Sequence, residues 1–258
     1  MMAHPNFLLN SSTLVIDGSS GIGFAAASAV LANGSKVHIT SVTTTKLVTK
    51  IGQLQSLYPG AHVSGSARRP LRHGRHSRPT SVLDAAVKET GGPLDHIVHS
   101  AGDGLNDTPL AEVTVETTLS GFTLRYLGSL LIGKLVAAHP AKYLKPAASS
   151  SITFTSGMMA HRPRKFIVTL GAAGAVEVLT RQLAVELAPI RTNVIVPGAV
   201  RTEFLEALTN GNPDVRKDAS LTKRVGTAAE AAEAYLFCMR STLATGQSFT
   251  VDSGYSLV

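Results

Sequence analysis

The 258-residue sequence predicts an α/β fold: one doubly wound parallel sheet with helices on both faces, in a single domain spanning residues 1–258. Three observations carry this expectation. Apolar, β-branched runs alternate with amphipathic helical runs along the whole chain, the order that a parallel sheet with crossover helices requires. The strand candidate LDHIVHSAG is apolar on both faces, as a strand buried between two helical layers must be. A hydrophobic content of 44% suffices for one sizeable core, and neither an internal repeat nor an interdomain linker interrupts it.

The run TLVID enters GSSGIGFAAASAVLANG, a glycine turn followed by an Ala-rich helix ending near Gly34. SKVHITS is a second strand, residues 44–58 a helix, AHVSGS a third short strand and LDHIVHSAG a fourth. Residues 113–145 are strongly apolar with a helical period, SSSITFTS is a strand, and residues 171–187 are a long helix. TNVIVPG, EAAEAYLFCMR and GQSFTVDSG follow as strand, helix and last strand. Residues 203–223, with an Asn-Gly-Asn-Pro cluster that supplies turn chemistry, are expected to form a mobile lid over a substrate.

Composition excludes several classes. The single Cys238 rules out an internal disulfide framework and a multi-cysteine metal site, and reads as a packed hydrophobe in a reducing, cytoplasmic setting. The start MMAHPNFLLNSST has no basic region leading into an apolar run, and each apolar stretch is interrupted before about 18 residues. Neither a signal peptide nor a membrane span is expected. Arg68, Arg69, Arg72, Arg75 and Arg78 account for most of the net charge of +7. Their segment, SARRPLRHGRHSRP, has no aromatic residue for base stacking and no helical period, so a nucleic-acid partner is not expected.

Between a strand and a helix, GSSGIG lets backbone amides approach a pyrophosphate whose charge then sits at the helix N-terminus. Gly18, Ser19, Ser20, Gly21, Ile22 and Gly23 are the candidate contacts. At the end of the second strand, TSVTTTK offers no acid to a ribose 2′-hydroxyl. Ser41, Thr43 and Lys46 are placed to receive a 2′-phosphate, favouring NADP over NAD, although a polar loop with a helix cap explains the threonines equally well.

Four motifs in order resemble the short-chain dehydrogenase/reductase family over nearly the whole chain. GSSGIG matches the latter part of that family's TGxxxGxG turn, and HSAG resembles its NNAG strand end. RTNVIVPGAVRT resembles the RVNxxxPGxxxT segment beside the nicotinamide, and TGQSFTVDSG the closing TGxxxxVDGG. The resemblance implies a Rossmann-like fold, cofactor contacts from Ala101, Gly102, Pro197, Gly198, Val200 and Thr202, and a homodimer or homotetramer formed through apolar helices.

The departures bear on chemistry. In the family, a tyrosine activated by a lysine exchanges a proton with the substrate oxygen, a serine polarises that oxygen and an asparagine supports a relay. Residue by residue, Ser156 keeps the serine, Thr169 and Ala173 take the tyrosine and lysine positions, and Arg125 takes the asparagine. A threonine hydroxyl is too weak an acid to replace the phenol, and general acid catalysis is worth about 10² to 10⁴ in rate. Its loss favours acceptors that take a hydride without concerted protonation, such as an iminium or a conjugated acceptor. Arg125 and Ser156 are the candidate groups at the reacting centre. The guanidinium could bind an oxyanion or simply pack, and the serine could polarise substrate or simply form a turn.

Asp17 stands at a glycine position of the turn. Its carboxylate either repels the phosphates, by roughly 3 kcal/mol for unit charges ~6 Å apart at an effective dielectric of ~20, or turns away to loop amides. Arg69-Pro70 replaces an adenine-holding Asp-Leu pair, so residues 67–79 are either a solvated loop or the product of a shifted reading frame or splice. The TSG strand end, the arginine and the GAVExLxRxLA helix are similar to a fungal natural-product branch of the family. One type in that branch reduces an iminium and then guides a cycloaddition, but its aspartate after a loop proline is Arg164 here. The expectation is an NADP-dependent oxidoreductase of specialised metabolism acting on a hydrophobic small molecule. The alternative is a non-redox isomerase, cyclase or binding scaffold.

Overall fold

A computed structural model describes residues 5–68, 79–102, 104–105, 107–163 and 165–258. The expectations for residues 69–78 and for Arg164 lie outside the described residues. Seven parallel strands form one sheet: β1 (Ser12–Ile16), β2 (Lys36–Ser41), β3 (Val63–Ala67), β4 (His96–His99), β5 (Ser151–Thr155), β6 (Arg191–Pro197) and β9 (Ser248–Val251). Their order is β3-β2-β1-β4-β5-β6-β9. A two-residue pair, β7 (Val200–Arg201) with β8 (Gly226–Thr227), stands apart from it. The helices are α1 (Gly21–Ala32), α2 (Thr44–Leu57), α3 (Pro79–Thr90), α4 (Val115–Gly121), α5 (Gly128–Ala138), α6 (Ile167–Glu186), α7 (Glu203–Leu208) and α8 (Ala228–Arg240).

The period-2 alternation of each central strand divides its side chains between two cores. Leu14, Ile97, Ile152 and Val194 join one cluster, which includes residues of α3, α5 and α6. Val15, Val98 and Ile195 join the other, which includes residues of α1, α2 and α8. This two-sided burial explains why β1, β4, β5 and β6 are buried throughout. Strand order reverses between β1 and β4, whose register pairs Thr13 with His96 and Ile16 with His99. In such sheets the crevice for a ligand opens at the carboxyl ends of the strands on either side of that reversal.

All seven strands expected from the pattern are present, and the structure adds detail that the pattern missed. Helix α3 follows the basic segment directly. The apolar run 113–145 is not one helix: a wide turn at Thr123–Leu127 separates α4 from α5, and α5 stops just before Pro140. Helix α6 begins at Ile167 rather than 171, which places Thr169 inside it. It is also long and apolar enough to cross a membrane, contrary to the expectation drawn from interrupted stretches. Half of that apolar window is buried within the molecule, and α6 packs on β5 and β6 as a core helix.

Several buried polar groups are paired, some with backbone and some with side-chain hydroxyls. Arg191 is 2% exposed, and its guanidinium donates to the carbonyls of Ala148, Cys238, Ser241, Ala244, Ser149 and Met239, joining β6 to the end of α8. Three strand histidines pair with hydroxyls: His38 with Ser64 and Ser66, His96 with Ser151, and His99 with Ser129. Burial disfavours their charged forms and lowers their pKa values to about 4, about 4 and about 3. The unfolded chain therefore takes up these protons below about 6.5 while the folded chain does not. Stability from this source is full above pH 6.5 and declines from there toward pH 4. At pH 5 the loss is about 2 kcal/mol per imidazole. Urea midpoints measured from pH 7.5 to 4.5 should fall with this profile, and His38→Gln should flatten it.

Candidate functional site

A cavity of 450 Å³ opens at the carboxyl ends of the central strands, within the roughly 300–1,000 Å³ usual for small-molecule sites. One wall is the glycine turn after β1. Asp17 lines the cavity with φ +66, a left-handed conformation that Asp tolerates better than most residues. Its N–H donates to Thr40 Oγ1 at 3.0 Å, and its carboxylate lies 3.8 Å from the Arg68 guanidinium. The carboxylate therefore faces a counter-charge from the end of β3, a partner that neither sequence expectation supplied.

Ser20, Gly21, Ile22 and Gly23 line the same wall. Helix α1 opens without a side-chain cap from Ser20, leaving its first amides to be satisfied by something else. A Cβ on Gly23 would come within 2.5 Å of the Asp17 carbonyl, so only glycine permits this closeness of turn and helix. Gly18, Ser19, Ser41 and Ala101 are not among the lining residues. Gly18 packs on Ile39, and the buried Ser19 and Ser41 are hydrogen-bonded to each other at 3.0 Å. The Ser41 hydroxyl thus faces the turn from behind. Thr43 is exposed at the head of α2 and makes no side-chain cap. Lys46 donates to Glu203 at 2.8 Å, bridging α2 to α7.

The opposite wall comes from the segment after β6. Pro197, Gly198, Val200 and Thr202 all line it, and Thr202 caps α7 by accepting from the Leu205 N–H at 3.2 Å. The expected lid over residues 203–223 forms α7 and a tight turn at Pro213–Ala219. It contributes Phe204, Leu205, Leu208 and Arg216 to the cavity, which Leu105, Met158 and Met159 make more apolar.

Ser156, Arg125, Thr169 and Ala173 converge at the third side. Arg125 sits in the wide turn between α4 and α5, and its Nη1 donates to the carbonyls of Thr155 at 3.0 Å and Ser156 at 2.6 Å. Its Nη2 occupies the space that a Cβ on Gly102 would need. Both bonds go to backbone carbonyls, with the guanidinium on the cavity wall. Thr169 is 3% exposed and donates to the Gly104 carbonyl at 3.4 Å.

Ser156 is 2% exposed, and its Oγ lies 3.1 Å from the Ala173 carbonyl and 2.7 Å from Glu177 Oε1. His161 Nε2 lies 3.0 and 2.9 Å from the two Glu177 oxygens. Sequence reasoning missed Glu177 and His161. The available signal was a carboxylate eight residues after Thr169, on the same face of an otherwise apolar helical stripe. No group of three or more potential metal ligands occurs among the described residues.

Comparison with known proteins agrees with this geometry. A family model described as an SDR-like Rossmann domain matches residues 4–258. The chain is 35% identical over 248 residues to the short-chain dehydrogenase/reductase ATR9 of Stachybotrys chlorohalonatus, covering 94% of this chain and 96% of that one. The structure of the MalC reductase/Diels-Alderase from Malbranchea aurantiaca superposes with a TM-score of 0.88 at 32% identity, covering 98% and 99% of the two chains. An NADPH-bound short chain oxidoreductase from Pseudomonas aeruginosa PAO1, containing an atypical catalytic center, shares the fold with a TM-score of 0.77 at 23% identity, covering 95% and 96%.

The Arg125 contact gives a packing prediction. Gly102→Ala should force the guanidinium aside and cost about 1–3 kcal/mol. Gly157→Ala, where an added Cβ meets nothing within 4 Å, should stay within about 0.5 kcal/mol of wild type in the same urea titration.

Proposed function

We propose, on the premise that the chain belongs to the short-chain dehydrogenase/reductase family, that it is an NADP-dependent oxidoreductase of specialised metabolite biosynthesis. Its substrate is a hydrophobic small molecule presenting an iminium, a conjugated acceptor or a carbonyl. The observation that carries this reading is the juxtaposition in one cavity of an uncapped helix N-terminus behind a glycine turn with an apolar wall and the Ser156–Arg125 corner.

The residues present fit a dinucleotide at its pyrophosphate. The amides opening α1 suit an anion, Gly21 and Gly23 allow close backbone approach, and Thr202 faces the turn, 3.2 Å from where a Gly21 Cβ would stand. Lys46 and Thr43 suit a 2′-phosphate once Lys46 leaves Glu203, and an exposed pair of that kind is worth only about 0–1 kcal/mol. When bound, the nicotinamide supplies or accepts a hydride. The chain's own residues orient the acceptor against the apolar wall and keep water from it, and the Arg125 guanidinium places positive charge beside the cavity where negative charge develops. Thr169, with its hydroxyl on a backbone carbonyl, and Ala173, with no polar atom, supply no acid. This favours acceptors that need none. The same two residues are the specific support for a second reading, a non-redox cyclase or isomerase on this scaffold.

Nicotinamide fluorescence titration separates the two. The first reading expects saturable NADPH binding, tighter than NADH, with the preference reduced about tenfold in Lys46→Ala. Absence of binding favours the second. Asp17→Gly removes a carboxylate from the pyrophosphate wall and releases Arg68, and should tighten NADPH binding more than tenfold, equivalent to about 1.4 kcal/mol. An unchanged affinity would show that the Asp17–Arg68 pair is electrically neutral toward the phosphates.

A further inference from the structure

We propose that Ser156, Glu177 and His161 form a proton relay from solvent to the cavity, supplying the proton that Thr169 and Ala173 cannot. The proposal rests on the reading of the cavity as a site of hydride transfer. Three distances connect the chain of groups. Ser156 lines the cavity, its Oγ lies 2.7 Å from Glu177 Oε1, and His161 Nε2 lies 3.0 Å from that oxygen and 2.9 Å from its partner. Exposure rises along the path: the Ser156 residue is 2% exposed, the Glu177 side chain 10% and the His161 side chain 37%. The outer end meets water and the inner end meets the cavity.

The placement follows from helix geometry. Thr169, Ala173 and Glu177 are spaced four residues apart, so they form one stripe on the buried face of α6. Where the stripe passes the cavity it carries no titratable group. One turn further on it carries a carboxylate. A carboxylate at this depth is costly unless hydrogen bonds compensate, and Glu177 has them from a hydroxyl on one side and an imidazole on the other. An ionised carboxylate only accepts, so in the resting site both neighbours present a hydrogen to it; inward transfer requires that Glu177 first take a proton from His161 and that the Ser156 hydroxyl turn its hydrogen toward the cavity. Ser156 is also held by its N–H to the Ile195 carbonyl at 2.9 Å and by its carbonyl to Arg125, so Oγ does not wander from the wall.

The step balances as follows. A hydride from reduced nicotinamide forms a C–H bond at the acceptor carbon, and the displaced π pair settles on the acceptor oxygen. That oxygen forms an O–H bond as the Ser156 Oγ–H bond breaks, in concert with transfer of a proton to Ser156 Oγ from Glu177 in its carboxylic acid form, so the acid is the carboxyl group and the hydroxyl only conducts. Glu177 is reprotonated by the His161 imidazolium, and the imidazole takes its proton from hydronium in solvent. An iminium acceptor needs none of this, because hydride addition leaves a neutral amine.

That difference provides the test. Wild type and Glu177→Gln, with His161→Gln as a second variant at the more exposed end, are assayed with NADPH and two probes. These are 4-phenyl-2-butanone, an unconjugated ketone whose alkoxide must gain a proton on oxygen, and N-methyl-3,4-dihydroisoquinolinium, which needs none. The relay predicts that each variant lowers the ratio of ketone to iminium kcat by about 10², the lower end of general acid catalysis, with KM values little changed. In cofactor-free protein, the His161 ring N–H resonance should be shifted by Glu177→Gln and, through the carboxylate, by Ser156→Ala. An unchanged ratio, or equal loss on both probes, overturns the relay while leaving hydride transfer intact. Wild-type protein that oxidises NADPH with neither probe overturns the hydride-transfer reading, and the relay's catalytic role with it.

Discussion

The geometry of the cavity depends on how the carboxyl end of β5 is held. Strand ends in a parallel sheet run out of ladder partners, so their last carbonyls must be satisfied by something else. Here Arg125 donates from one nitrogen to the carbonyls of both Thr155 and Ser156. The Ser156 N–H continues the ladder to Ile195, and the Thr155 hydroxyl donates to the His99 carbonyl on β4. The last residues of three adjacent strands are thereby locked together, and Ser156 is presented to the cavity in one orientation. Arg125 reaches this position because the chain widens at Thr123–Leu127, and its guanidinium fits because residue 102 has no side chain.

This arrangement keeps the cleft organised around Thr169 and Ala173, which carry neither a phenol nor an amine. Arg125 sets a fixed positive charge on the cavity wall and ties it to the backbone at the end of β5. On the far side of Ser156, Glu177 and His161 give the hydroxyl a partner that a lone strand-end serine would not have. The Lys46–Glu203 pair joins α2 to α7. Each of these links joins sequence-distant elements.

The fold was legible in the sequence because burial on both faces leaves adjacent apolar residues at the centres of β1, β4 and β6, between runs of helical period. The glycine turn was legible because Gly23 has a geometric reason to be glycine. Ser41 was harder to place. A serine at a strand end can face a ligand or a neighbouring hydroxyl, and only the packing of Ser19 against it decides. Asp17 was read as a charge without its partner, since Arg68 is brought beside it by the pairing of β2 with both β1 and β3, a relation with no local trace. The break in residues 113–145 was hidden because a wide turn preserves the apolar composition while changing the backbone. Glu177 and His161 lie on separate elements, and sixteen residues of sequence give no hint that their side chains meet.

The central claim is that this cavity transfers a hydride although Thr169 and Ala173 stand at the positions where a tyrosine and a lysine are expected. Incubation with NADPH deuterated at C4 and N-methyl-3,4-dihydroisoquinolinium, followed by mass spectrometry of the amine, tests it directly. The account predicts a product carrying one deuterium, delivered from only one of the two C4 faces. An amine without deuterium, or no turnover in a folded protein saturated with NADPH, would contradict it.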